Sequence, residues 1–340
     1  MTITDIQVHQ PAGLLRLLTD AGVEGWCPGV RGEVACQIQA FLRGALIGQD
    51  PLHRERLWQE MVRLASSAHL PPSVWGCVDV ALWDLGGKAV QLPVFRLIGG
   101  FRGQVPAYRR GGLHSDAAAF AQEAVEAREA GFVGYKDCCD LGVEGTLRAA
   151  RAIREAVGPD FYLMHDGGQR YSDAGALRVG RGLEEQDYHW FEEPLRDPTW
   201  MRLGALAGAL DLPVLASAGP MLRGTSQAVT LKAVDRVRAG APWCGGITDL
   251  LKIARVAEAF GVNCEISSGD AAWGFVHAHL AGAVRNCDFF EARKTGAQGG
   301  APLIRNPLRV EKGSLVIPQG PGLGLELDWD EVERQTEQVV

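Results

Sequence analysis

Asp166 and Glu192 each follow a short apolar segment, and their carboxylates could bind a hard metal ion. Asp166 ends the segment YLMHD, and Glu192 lies in YHWFEEPL. Oxygen ligands of this kind suit Mg²⁺, which commonly keeps several waters in its shell. The following segment, LPVLASAGP, offers no third carboxylate, because Ala218, or Pro220 if the register slips, stands at its end. We therefore expect Mg²⁺ to bind weakly or not at all.

Two further segments carry groups that could move a proton. Side chains alternate along a strand, so Lys136 and Cys138 of the segment KDC face the same side. A Cys138 thiolate could accept a proton, since nearby Lys136 would lower its pKa; alternatively, Cys138 is only a small inward-facing residue. Glu291 in FFEARK could act as a general acid if burial raises its pKa, or it could pair with Arg293 or Lys294.

These residues fall on a regular alternation of short apolar segments and helical patterns, which predicts βα units. Glycines that follow the amphipathic stretches suit helix C-termini. Eight such units in roughly 185 residues predict an α/β fold, a TIM-type barrel of seven or eight βα units. The predicted strands cover residues 105–110, 132–139, 161–166, 188–193, 212–217, 234–239, 262–267 and 287–292.

The barrel occupies only part of the chain. We expect an N-terminal α+β capping domain over residues 1–104, the barrel over 105–300, and a C-terminal segment over 301–340 that packs back on the cap. Within the cap, residues 54–69 have a helical pattern, whereas TDAGVEGWCPG (19–29) is typical of a loop.

Composition excludes several functional classes. The 340 residues carry a net charge of -7 without a basic cluster, which argues against a nucleic-acid partner. We find no run of about 18 apolar residues, so no membrane span is expected. The eight cysteines include no CxxC pair, and together with the absence of a signal-like start they favour a reducing cytoplasm.

Several long motifs resemble the enolase superfamily, in its mandelate racemase and muconate lactonizing enzyme branch, and are most similar to the sugar-acid dehydratases of that branch. They span nearly the whole chain: residues 46–61, 78–100, 156–195, 245–262 and 321–328. The resemblance implies a site at the carboxyl ends of the barrel strands and a dimeric or octameric assembly. It also implies three carboxylates that hold Mg²⁺ while a base removes the proton α to a substrate carboxylate.

Residue by residue, the resemblance places Asp166 and Glu192 at the first two metal positions. Lys136 matches a substrate-holding lysine, and Cys138 replaces a base. Glu291 matches a glutamate that bonds to or protonates the developing enolate. A histidine–aspartate pair is replaced by Ser267 and Gly240, and serine alone is a poor base.

The remaining candidates would shape the substrate pocket. Asp270 follows Ser267 and could reach the cavity from a loop, and Trp273 could line it. Residues 22–27 lie where family members close a lid, so Glu24 and Trp26 are candidates for specificity; a surface loop with one packed tryptophan is the alternative.

Three functions follow. The first is a lyase or isomerase on a small carboxylate, a sugar acid or hydroxy acid, with altered acid–base and metal machinery. The second is a pseudoenzyme that binds a small acid or serves assembly without turnover, since groups that act as a unit rarely work when several are lost. The third is a different reaction that needs no enediolate.

Overall fold

Eight parallel strands form the centre of the molecule within the residues described by a computed structural model, which are 1–217, 222–267, 271–293 and 303–340. The first seven are hydrogen-bonded to one another in chain order, and the eighth pairs with the first. No ladder joins the seventh to the eighth in the described part. The strands are β4 (Gln104–Arg110), β5 (Gly134–Asp137), β6 (Tyr162–Asp166), β7 (Trp190–Glu192), β8 (Val214–Ser217), β9 (Arg236–Ala239), β10 (Asn263–Ile266) and β11 (Phe290–Ala292). The predicted barrel is confirmed, and each strand lies inside or within one residue of its predicted segment.

Helices separate these strands. Side-chain caps begin three of them, since Asp116, Ser172 and Thr199 each accept a hydrogen bond from a backbone N–H three residues later. The helices are α6 (Ala117–Glu129), α7 (Gly142–Val157), α8 (Asp173–Glu184), α9 (Trp200–Ala207), α10 (Leu222–Thr230), α11 (Ala241–Cys244), α12 (Gly246–Ala259) and α13 (Ala271–Ala283). Seven of the eight strands are thus followed by helix in the described residues.

The N-terminal region is an antiparallel sheet packed on helices. Its strands are β1 (Ile3–Pro11), β2 (Leu14–Thr19) and β3 (Gly25–Pro28), in the order β1-β2-β3. The helices are α1 (Gly32–Gln37), a π-helical turn (Ile38–Leu42), α2 (Arg43–Leu46), α3 (Arg54–Ser67), α4 (Ser73–Ala89) and α5 (Val94–Leu97). The loop predicted over 19–29 is therefore wrong for Gly25–Pro28, because pairing with β2 outweighs the turn-like composition of that segment.

The C-terminal segment contacts both parts of the molecule. Strands β12 (Val310–Glu311) and β13 (Ser314–Val316) form a hairpin, and β13 extends the barrel sheet antiparallel to β4. Helix α14 (Trp329–Gln335) and strand β14 (Thr336–Val339) follow, and β14 pairs with β1 at the edge of the cap sheet. The cap is thus assembled from both ends of the chain.

The barrel interior contains an apolar layer and, nearer the carboxyl ends of the strands, a layer of charged residues. Tyr108, Met164, Trp190, Leu215 and Phe289 form a buried layer across the strands. Charged residues follow two positions later on several of the same strands, at the end where the carboxyl termini converge, which is the functional end of such barrels. In the described ranges no helix is both long enough and apolar enough to cross a membrane.

Candidate active site

A buried cluster of four charged side chains and one tyrosine hydroxyl lies toward the carboxyl end of the barrel. We call it the mouth cluster and define it as Tyr108, Lys136, Glu192, Arg238 and Glu291, each at most 5% exposed. Lys136 Nζ lies 2.6 Å from Glu192 Oε2 and 2.6 Å from Glu291 Oε2. The sequence placed Lys136, Glu192 and Glu291 on separate predicted strands, and the structure joins them in direct ion pairs.

Arg238 is a member of the mouth cluster that the sequence analysis missed. It lies on β9, and its Nε is 3.2 Å from Glu192 Oε1, while its guanidinium also pairs with Glu291 and lies 3.4 Å from the Tyr108 hydroxyl. Alternation along VDRVRA could have signalled it, since Val237 and Ala239 share one face and Arg238 takes the other. Glu192 is therefore held by a cation at each of its oxygens.

Arg110 stands at the rim of the mouth cluster and was also missed. It lies two residues beyond Tyr108 on β4, so both side chains face the barrel interior. Its Nε is 3.9 Å from Glu291 Oε1, and 36% of its side chain is exposed. It is thus a cation at the mouth that solvent and a ligand can reach.

Asp166 lies on β6 beside Cys138. The Cys138 thiol is 3.8 Å from Asp166 Oδ2, and the Gly168 N–H donates to Asp166 Oδ1 at 3.0 Å. Within the described ranges no cation lies within ion-pair distance of the Asp166 carboxylate. Asp166 therefore differs from Glu192 and Glu291, whose carboxylates are both neutralised by internal cations.

Burial and neighbouring charges set the protonation of the cluster. Burial raises the pKa of Cys138 to about 12, and Asp166 adds to the rise against the opposing charges of Lys136 and Arg110. Lys136 thus lowers this pKa as predicted, but burial and Asp166 outweigh its effect, so the thiol stays protonated at neutral pH. Burial and Arg238 lower the pKa of Lys136, but its carboxylate neighbours outweigh them and raise it. Lys136 remains an ammonium.

The donor set does not fit a divalent cation. Three carboxylates (Asp166, Glu192, Glu291) already face three cations (Arg110, Lys136, Arg238), so the formal charges balance. Mg²⁺ on the free lone pair of Glu192 Oε2 would lie about 4 Å from the Lys136 ammonium, a repulsion of about 8 kcal/mol at an effective dielectric of about 20. No group of three His, Cys, Asp or Glu side chains suitable for a metal occurs among the described residues.

The positions of the expected histidine–aspartate pair are occupied differently. Gly240 is extended, and a Cβ built on it would lie 2.3 Å from the Trp243 ring, so an aspartate does not fit beside that indole. Ser267 Oγ lies 3.3 Å from the Arg238 guanidinium. Buried His277 is not a replacement base, since burial and Arg238 lower its pKa to about 3.

A cavity of about 410 Å³ opens between the cap and the barrel. Its barrel side consists of residues that follow β9, β10 and β11, namely Pro242, Trp243, Trp273 and Arg293, and its cap side includes Arg31, Glu33 and Ser73. Trp273 thus lines a cavity at the carboxyl end of the barrel. Arg31 was not among the residues predicted from the sequence, and Arg293 was considered there only as a partner of Glu291.

Glu24 and Trp26 are held inside the cap. Glu24 makes a forked pair with Arg16, and the backbone N–H of Trp26 donates to Asp84. The Trp26 ring packs under the Lys88 ammonium at 3.1 Å. These contacts favour the packed-tryptophan alternative for Trp26, and a role of Glu24 and Trp26 in specificity stays a prediction. Asp270, Ala218 and Pro220 lie outside the described residues.

Comparison with known proteins identifies the class of barrel. Residues 119–332 match the model of the enolase C-terminal domain-like family, and residues 1–99 match that of the mandelate racemase and muconate lactonizing enzyme N-terminal domain. The chain therefore belongs to the enolase superfamily, in the mandelate racemase and muconate lactonizing enzyme branch.

Relatives in this family are lyases and isomerases of small acids. D-galactarolactone cycloisomerase of Agrobacterium fabrum is 32% identical, over 93% of this chain and 89% of that protein. Arabinonate dehydratase of Saccharolobus solfataricus is 29% identical, over 87% and 82%. The crystal structure of D-glucarate dehydratase from Agrobacterium tumefaciens complexed with magnesium has a TM-score of 0.90 at 29% identity, over 99% of this chain and 100% of that one.

Proposed function

We propose that this protein is a lyase or isomerase of a small carboxylate, a sugar acid or related hydroxy acid, with altered acid–base and metal machinery. The observation that carries the proposal is the convergence of Lys136, Glu192, Glu291 and Arg110 beside Asp166 at the carboxyl end of the barrel. Family membership and the small-acid relatives support the substrate class.

Each group has a distinct proposed task. Arg110, the exposed cation, binds the substrate carboxylate, since a guanidinium pairs well with carboxylate oxygens. Asp166 transfers the proton, because it is the carboxylate of this site that lacks an ion pair among the described residues. Lys136 and Arg238 hold Glu192 and Glu291 in place and stabilise negative charge that develops on the substrate. Cys138 packs against Asp166 and fixes its position. Asp270, which the sequence places beside this end of the barrel, is a further candidate.

The test is exchange of substrate hydrogen with solvent deuterium, together with dehydration, over a panel of sugar acids and hydroxy acids. Asp166→Asn should abolish both activities, and Arg110→Met should raise KM more than it lowers kcat, because it removes binding before the chemical step. Asp160→Asn, a change at an exposed aspartate in the α7–β6 turn, is the matched control. Full activity of Asp166→Asn would contradict the assigned task.

A pseudoenzyme is the second candidate, and one observation favours it. Glu192 and Glu291 are both neutralised inside the protein, so neither is free to exchange a proton with a ligand. This candidate predicts that a small acid binds without turnover. Turnover that Glu291→Gln abolishes would eliminate it.

Cofactor, assembly and location complete the proposal. We propose that Mg²⁺ binds weakly or not at all, that a small-molecule carboxylate is the partner, with neither nucleic acid nor membrane involved, and that the protein is a cytoplasmic homo-oligomer. Light scattering after size-exclusion chromatography distinguishes a dimer or octamer from a monomer.

A further inference from the structure

We propose that the Arg238 guanidinium takes the electrostatic place of a divalent cation in this site, so that the site is complete without a metal ion. The proposal starts from Glu192, which matches a metal-ligand position of the family. Its two oxygens contact Arg238 Nε at 3.2 Å and Lys136 Nζ at 2.6 Å. The second acid of the cluster, Glu291, is paired with the same two cations.

Arg238 can serve this role because it reaches across the barrel from β9. Its guanidinium contacts the carboxylate of β7, the carboxylate of β11 and the hydroxyl of Tyr108 on β4. It therefore connects groups from several strands, as a central metal ion would. It is 5% exposed, and the carboxylates raise its pKa well above the ordinary range although burial opposes this. Its charge is permanent, unlike that of an ion that can dissociate.

The absence of a third carboxylate from the sequence agrees with the replacement of a metal ion's charge by that of Arg238. The segment over residues 212–221 lacks the third carboxylate and contains no other acidic side chain. A three-acid site needs a divalent ion to offset its charge, whereas two acids held by one lysine and one arginine are already neutral. Loss of an acid and use of an internal arginine are thus complementary changes.

The direct test is the gain of a metal site on removal of the guanidinium charge. Arg238→Gln keeps a side-chain hydrogen-bond donor but leaves the cluster with one excess negative charge. We expect it to bind Mg²⁺ at least about tenfold more tightly than the unchanged protein in calorimetric titration, and to gain thermal stability in about 10 mM MgCl₂ that the unchanged protein does not gain. Arg238→Lys, which keeps the charge, is the matched control and should show neither effect.

A second pair of variants ties any response to this site. Adding Asp166→Asn or Glu192→Gln to Arg238→Gln should remove the Mg²⁺ response. Saturable Mg²⁺ binding to the unchanged protein that is lost in Asp166→Asn would overturn the proposal, as would a folded Arg238→Gln variant without any Mg²⁺ response. If Arg238→Gln does not fold, titration of the unchanged protein decides: saturable binding lost in Asp166→Asn overturns the proposal, and no binding supports it.

The proposal rests on the proposed function only in placing the substrate at this site. Its binding and melting measurements need no substrate, so they stand even if the acid panel shows no turnover. If turnover is found, we expect a rate unchanged by EDTA and by added Mg²⁺. A rate that EDTA abolishes and Mg²⁺ restores would overturn the proposal while leaving the lyase or isomerase function intact.

Discussion

Removal of the Lys136 ammonium should destabilise the barrel far more than removal of a surface charge. Its Nζ lies 2.6 Å from Glu192 and 2.6 Å from Glu291, and the residue is 1% exposed. Each contact corresponds to about 6 kcal/mol of attraction at an effective dielectric of about 20. Desolvation of the three charges offsets most of this, and loss of one partner of a buried pair typically costs about 3–5 kcal/mol. We expect Lys136→Met to lower the free energy of unfolding by about 4 kcal/mol.

The assay is denaturant unfolding monitored by circular dichroism, with Arg63→Met as the control. Arg63 pairs with Glu60 at the same 2.6 Å, but their side chains are 63% and 41% exposed. Exposed pairs contribute under about 1 kcal/mol. The two sites match in contact distance and differ in burial and in the number of carboxylates, two for Lys136 and one for Arg63.

A double-mutant cycle separates charge balance from the loss of a side chain. Lys136→Met with Glu291→Gln removes one charge of each sign, so the pair should cost less than the sum of the single changes by about 2 kcal/mol or more. Additivity within about 0.5 kcal/mol, or a Lys136→Met loss no larger than that of Arg63→Met, would refute the account of the mouth cluster given above.

Three further predictions concern other parts of the chain. Burial raises the pKa of Asp79 to about 7 despite the hydrogen bonds that Asp79 accepts from Thr248, so its contribution to stability is complete below about pH 4 and is lost as the pH rises through 7. In Asp79→Asn the free energy of unfolding should therefore fall less steeply between about pH 5 and 7, by up to about 1.4 kcal/mol per pH unit. An unchanged slope would contradict this prediction. Cys36 is exposed and the other seven cysteines are buried, so alkylation of the native protein at about pH 8, mapped by mass spectrometry, should modify Cys36 and spare Cys138; equal labelling would show that Cys138 is accessible. Gly240→Asp should lower the free energy of unfolding by about 1–3 kcal/mol because its Cβ meets Trp243, and Trp243→Ala should restore part of the loss; a neutral Gly240→Asp would mean that the indole moves freely.

The barrel could be predicted because its signal is local and repeated. Every strand from β4 to β10 contains or adjoins an apolar segment followed by a helical pattern, and strand-end placement of Lys136, Asp166, Glu192 and Glu291 follows from the spacing of the apolar segments. β3 was missed because the glycines and proline of residues 22–29 favour a loop locally, while pairing with β2 is a long-range effect.

The mouth cluster could not be predicted in the same way. Alternation indicates that Arg238 and Arg110 face the interior, but it does not say which acids their long side chains reach. Arg238 spans from β9 to Glu192 on β7 and Glu291 on β11, which are 46 and 53 residues away in sequence. The pKa of Cys138 could not be predicted for a related reason. Burial and Asp166 raise it by more than Lys136, two residues away in sequence, lowers it.

The pairing of the last strand with the first has a consequence for synthesis on the ribosome. The N–H of Val8 donates to the Val340 carbonyl, and the N–H of Val340 donates to Val8. β14 is synthesised after the whole barrel, so β1 gains its partner at this edge of the cap sheet only once residues 336–340 have emerged from the ribosome.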